Sequence, residues 1–172
     1  CADAPSRDWL LERGSLTARL RDHWGDVTVR LLDEGQTVPL AHEAQRLGIT
    51  PDTTAWVRCV LLVCQGRPRV YARTVIPNWG PHNPWAEVQR LGQQPLGELL
   101  FRLPDLQRSG FEWGPAQNWP HAGQWQAAGS SDALARRCVF ARAQAPLLLT
   151  EVFLALAPAH TEAERLPGGQ NA

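Results

Sequence analysis

The sequence predicts a single α+β domain, an antiparallel sheet of hairpins with helices packed on it. Three observations predict it. Two pairs of β-rich runs fold back across short breaks, "AWVRCVLLVC" onto "RPRVYARTVIP" and "ARRCVFARA" onto "APLLLTEVFL". Helical segments lie before and between these pairs, without the alternation of strand and helix that builds a parallel sheet. The 172 residues suffice for one core burying roughly two-thirds of the unfolded surface. The expected boundaries are one domain over 1–158 and a disordered tail over 159–172.

The elements follow in order. "PSRDWLLERGSLTARLRDHWGDV" predicts two helices in quick succession, with Ser15 as N-cap, Leu16 and Leu20 on one face and Gly25 as the stop. "DVTVRLLDEG" alternates as a strand, with Val27, Val29 and Leu31 on one side. "VPLAHEAQRLGI" predicts a short helix ending near Gly48. In the first hairpin, Gly66-Arg67 as a two-residue loop suits a type II′ turn. That register sets Cys64 opposite Arg69, Leu62 opposite Tyr71, Val60 opposite Arg73 and Arg58 opposite Val75. Arg58 and Arg73 are then diagonal neighbours on one face.

"NPWAEVQRLG" predicts a helix with Asn83 as cap, Pro84 in the first turn and Gly92 past its end. "QPLGELLF" adds a short helical piece. Residues 113–132, rich in Gly, Pro, Gln and Trp, read as a long loop whose Trp119 and Trp125 either join the core or cap a pocket. The second hairpin turns near Gln144-Ala145.

Composition removes several function classes. Acids and bases balance at 17 each, so no broad basic surface points to nucleic acid. All the bases are arginine. Without lysine there is no Schiff base, no pyridoxal attachment and no phosphate loop ending in Gly-Lys-Ser/Thr. The cysteines at 1, 59, 64 and 138 show no CxxC and no zinc-site spacing with histidine. Cys59 and Cys64 point to opposite faces of one strand, so they read as buried thiols suited to a reducing cytoplasm. No apolar stretch approaches the roughly 20 residues of a membrane span. The five histidines have no acid or nucleophile at a recognisable spacing. The absence of heptads makes a monomer the expected state.

One residue stands out. In "PLLLTEVFLALAP" strand alternation puts Leu147, Leu149, Glu151 and Phe153 on one face and Leu148, Thr150, Val152 and Leu154 on the other. Both faces are apolar enough to be buried. An ionised carboxylate there costs several kcal/mol, about, unless a cation or a set of donors meets it. Arg58, Arg73 and Arg142 are the candidate partners, in a structural ion pair or in a site.

The motifs "DWLLERGSL", "AWVRCVLLVCQGRPRVYARTVIP", "LGQQPLGELLF" and "PLLLTEVFL" span most of residues 8–156, and through them the chain resembles the chorismate pyruvate-lyase family. The resemblance implies elimination of pyruvate from chorismate to leave 4-hydroxybenzoate for ubiquinone synthesis, with no metal or redox cofactor. It assigns Glu151 to the ring hydroxyl and Arg58 to the ring carboxylate. Leu96 matches a position that contacts the ligand through its backbone. Leu16 falls where a relative carries methionine, a change that keeps the wall's volume. Chorismate has a second carboxylate on its enolpyruvyl arm, and an arginine fork suits each carboxylate, so Arg73 is the expected second anchor. The rival class is a non-catalytic effector-binding module of the same fold, as in transcription regulators. Such a module is expected behind a winged helix-turn-helix, whereas the motifs here begin within the first 30 residues.

Overall fold

The computed structural model describes residues 4–119 and 133–154. Cys1, Trp125 and the tail expected beyond 158 lie outside them. Within them the expected class holds: one seven-stranded antiparallel sheet with helices packed on it.

Helices α1 (Ala4–Leu10) and α2 (Leu16–Trp24) come first. The Ser15 hydroxyl accepts from the Ala18 amide at 3.2 Å, satisfying an N–H that has no partner within the helix. Leu16, Leu20 and Trp24 recur at intervals of four and are buried, each burial contributing about 2 kcal/mol. Strand β1 (Val27–Thr37) follows, then α3 (Ala41–Leu47), then the hairpin of β2 (Ala55–Cys64) and β3 (Arg67–Pro77). The helix expected around "NPWAEVQRLG" is a short 3₁₀ turn, Ala86–Arg90. Asn83 still serves as punctuation, its Oδ1 accepting from the Trp85 amide at 2.9 Å. Helix α4 spans Leu96–Leu100.

The long loop expected from 113 is partly structured. Strands β4 (Gln107–Arg108) and β5 (Glu112–Pro115) pair with the same edge of β6 (Leu134–Arg142), and a 3₁₀ turn occupies Ala116–Asn118. Ser109 bridges the gap between β4 and β5. Its amide donates to the Val139 carbonyl and its hydroxyl accepts from the Val139 amide, both at 2.9 Å. Strand β7 (Ala145–Phe153) completes the sheet, in the order β1-β2-β3-β7-β6-β4.

Both faces are covered, which is why the central strands are apolar on both sides. On one face α1, α2, α4 and the fully buried Trp85 pack over Val60, Leu62, Val70, Phe140, Leu147 and Leu149. On the other, Val57, Cys59, Leu61, Tyr71, Val75, Leu148 and Val152 form a second cluster with Ala116. Leu47 and Trp119 pack against that second cluster, so Trp119 caps no pocket on the first face. The two cysteines of β2 fall in different clusters, as alternation requires.

The first hairpin departs from its expected register. The two-residue loop is Gln65-Gly66, both at positive φ (51° and 72°), and Cys64 pairs with Arg67. That is the primed turn geometry whose twist matches the strands. Between Val63↔Pro68 and Leu62↔Val70, Arg69 is an extra residue on β3. Pro68 has no N–H to give the ladder, which makes this a natural place for a bulge. Arg58 therefore pairs with Thr74 and Cys59 with Arg73. A slip of one residue exchanges faces, so Arg58 and Arg73 lie on opposite sides of the sheet.

Candidate active site

The cavity lies between the first face and the helices. Its floor is a set of cross-strand partners whose side chains share that face: Arg58 with Thr74, Val60 with Ala72, Ala72 with Glu151, Glu151 with Arg136, and Cys138 with Leu149. Its roof comes from the start of α2 (Leu16, Thr17) and from α4 with the residue before it (Pro95, Leu96, Gly97). Gly97 fits because a Cβ there would stand 3.4 Å from the Thr17 hydroxyl, so the two helices meet closely. The cavity is narrow, and more of its lining is apolar than polar. An apolar lining with a few convergent polar groups is the make-up of a small-molecule site.

At one end stands Arg58, 1% exposed. Its Nη2 donates to the carbonyls of Gly92 and Gln94 at 2.9 and 3.0 Å. Gly92 adopts φ 52°, in the left-handed region where a residue with a Cβ is strained. Glu34, the residue opposite Arg58 on β1, has Oε2 at 3.6 Å from Nε. Burial pulls the Arg58 pKa below its usual value, with the Glu34 charge opposing. The group stays cationic because a guanidinium does not deprotonate in proteins.

Toward the other end is Glu151, whose Oε2 accepts from Arg136 Nε at 2.6 Å. Arg136 is 3% exposed, and its Nη1 donates to the carbonyls of Trp9, Leu10 and Glu12 at 3.2, 3.2 and 2.8 Å. Those carbonyls, at and just past the end of α1, are among the acceptors a helix leaves unpaired. The guanidinium lies 4.4 Å from the ring centre of Phe111 and 5.6 Å from that of Phe153. Glu151 is thus held by a cation that is itself fixed on every side.

The cavity brings together Arg58, Glu151, Leu16 and Leu96. It excludes Arg73, which projects from the other face and donates through Nε and Nη2 to Glu43 at 2.6 and 3.1 Å. Burial alone would lower the Arg73 pKa, but the hydrogen bonds and charge of Glu43 raise it. Arg73 fastens α3 to the sheet and is corrected from substrate anchor to structural cation. The ion-pair partner of Glu151 is Arg136 and none of the three arginines considered from the sequence, although Arg58 shares the cavity. Arg142 meets Glu87 at 2.6 Å.

Cys138 also lies on the cavity floor. Burial first, and the Glu151 charge second, push its thiol up to about 12, and the thiolate is the reactive form. Among the described residues no three His, Cys, Asp or Glu side chains converge to hold a metal ion. No described helix is long and apolar enough to cross a membrane.

Fold and cavity together define a class: α+β domains with an internal site between an antiparallel sheet and its helical roof. The effector domain of PhnF from Mycobacterium smegmatis shares this fold with a TM-score of 0.57. The match covers 84% of this chain and 91% of that one, at 12% identity, a likeness of fold alone. Sequence gives a narrower answer. The chorismate lyase family profile matches residues 3–164. The chain is 46% identical over 149 residues to a probable chorismate pyruvate-lyase of Hydrogenovibrio crunogenus, covering 86% of this chain and 80% of the relative. It is 40% identical over 152 residues to a probable chorismate pyruvate-lyase of Thiobacillus denitrificans, covering 86% and 81%. The chain belongs to the chorismate lyase family.

Proposed function

We propose that the chain eliminates pyruvate from chorismate to give 4-hydroxybenzoate, the step that feeds ubiquinone synthesis. One observation carries the reading: Arg58 and the Glu151–Arg136 pair face each other across one apolar cavity on one face of the sheet. Two strand spacings, about 10 Å, separate their backbones across the sheet, and two residues, roughly 7 Å, along it. With both side chains reaching inward, the gap suits a six-membered ring with a carboxylate at one end and a hydroxyl at the other.

In this reading Arg58 receives the ring carboxylate. Glu151 accepts from the ring hydroxyl through Oε1, its other oxygen being held by Arg136. Leu16 and Leu96 pack on the ring. The bond between the ring carbon and the enolpyruvyl oxygen breaks, its electron pair leaving with the oxygen. The neighbouring hydroxyl-bearing carbon loses its hydrogen as a proton, and the electrons left behind complete the aromatic ring. A proton taken up at the enolpyruvyl methylene gives pyruvate. Aromatisation drives the reaction, so the residues contribute orientation, exclusion of water and stabilisation of charge. The protein works as a monomer, without metal or nucleic acid, in the bacterial cytoplasm, where the buried free thiols of Cys59, Cys64 and Cys138 stay reduced.

Incubation with chorismate is expected to yield 4-hydroxybenzoate and pyruvate in equal amounts, followed by absorbance. Binding of chorismate without turnover would favour the effector-binding module. Glu151→Gln keeps shape and hydrogen-bonding reach while deleting the charge. As a positioning group, Glu151 is expected to lose less than about 10²-fold in turnover, with a shift in 4-hydroxybenzoate affinity. A larger loss at unchanged product affinity would make it a proton-transfer group instead.

A further inference from the structure

The correction at Arg73 leaves the substrate's second carboxylate without a cation. Three arginines line the cavity, and two already have a partner in the reading above, Arg58 the ring carboxylate and Arg136 the carboxylate of Glu151. The third is Arg108. It stands on β4 opposite Phe140, another residue of the cavity wall, so its side chain lies on the cavity face. Unlike the other two it is exposed, as are Gly14 and Phe101 of the lining, and these residues mark the mouth. Its guanidinium is oriented but not neutralised. Nη1 donates to the Arg13 carbonyl at 2.9 Å, and the group rests 4.9 Å from the ring centre of Phe111. Arg108 meets no carboxylate among the described residues.

The strand order completes the geometry. Across the face run Arg58 on β2, Glu151 on β7, Arg136 on β6 and Arg108 on β4. Chorismate spreads three polar groups around one ring. The ring carboxylate is at one end, the hydroxyl at the far end, and the enolpyruvyl arm springs from the carbon beside the hydroxyl. With the hydroxyl at Glu151, the arm leaves the ring on the side away from the ring carboxylate, and one of the two ways of laying the ring down turns it toward β4. We propose that Arg108 binds the enolpyruvyl carboxylate, making it the residue that distinguishes the dianionic substrate from the monoanionic aromatic product. This rests on the lyase reading above. An ion pair formed at the mouth with a cation held in advance orients the arm at little entropic cost.

The test compares substrate with product in Arg108→Gln and Arg108→Lys, each checked for an unchanged melting temperature. In Arg108→Gln, kcat/KM for chorismate is expected to fall about 10- to 100-fold, the range for a lost hydrogen bond to a charged group. The Kd for 4-hydroxybenzoate, which lacks the arm, is expected to move by less than about twofold, and Arg108→Lys to recover part of the loss. Unchanged chorismate kinetics would overturn the proposal, and so would equal losses for substrate and product, which would make Arg108 a structural strut for Arg13. A wild-type protein that neither converts chorismate nor binds 4-hydroxybenzoate would instead overturn the lyase reading itself.

Discussion

Arg58→Ala is expected to lower kcat/KM for chorismate by roughly 30-fold to several thousand-fold, equivalent to about 2–5 kcal/mol of lost transition-state stabilisation. Two losses combine. The ring carboxylate is left in an apolar cavity without its guanidinium partner. The carbonyls of Gly92 and Gln94 lose the donor that holds them at 2.9 and 3.0 Å, which loosens the chain leading into Leu96. Substrate and product are therefore both expected to bind more weakly, in contrast to the selective effect of Arg108. Arg58→Lys restores a charge without a planar fork and is expected to recover only part of the rate. Steady-state kinetics with a titration of 4-hydroxybenzoate separates these outcomes. Near-normal values in the alanine variant would remove Arg58 from the site.

Arg136→Met is expected to cost about 3–5 kcal/mol of stability, as when one partner of a buried ion pair is removed. For a chain of this size the melting temperature should fall by roughly 10 °C. Glu151 would keep a charge in an apolar surrounding, and three carbonyls near the end of α1 would lose their donor. The double variant Arg136→Met with Glu151→Leu removes the stranded charge, and more than half of the loss should return. Equal melting temperatures for the single and double variants would show that the carbonyl contacts, rather than the charge, carry the cost.

Much of this was legible in the sequence because the signals were local. The Ser15 cap, the two hairpins and the alternation that set Glu151 beside Leu149 and Phe153 depend on residues only a few positions apart. The misses lie in register, which a turn or a bulge sets. Placing the second turn at Gln144-Ala145 sets Cys138 opposite Glu151. The observed turn, Ala143-Gln144, sets Arg136 there. Both turn residues have positive φ, 46° and 63°, though neither is the Gly, Asn or Asp that usually marks such a turn, so the sequence carries no sign of it. In the first hairpin a loop moved by one position would have kept Arg73 beside Arg58. The extra residue at Arg69 moved it to the other face. Arg108 lay hidden because a strand of two residues has no alternation to detect.

The bulge at Arg69 also bears on which changes of chain length the hairpin can absorb. Deleting Arg69 would take out the surplus residue and leave a regular ladder, with Leu62 still opposite Val70 and Arg58 still opposite Thr74. Deleting any one residue between Val70 and Thr74 would shift the parity of part of the strand, driving Arg73 toward the cavity or Ala72 and Thr74 out of it. In a lineage of such chains, gaps would therefore collect at the bulge and be purged a few positions later, whatever the substitutions around them.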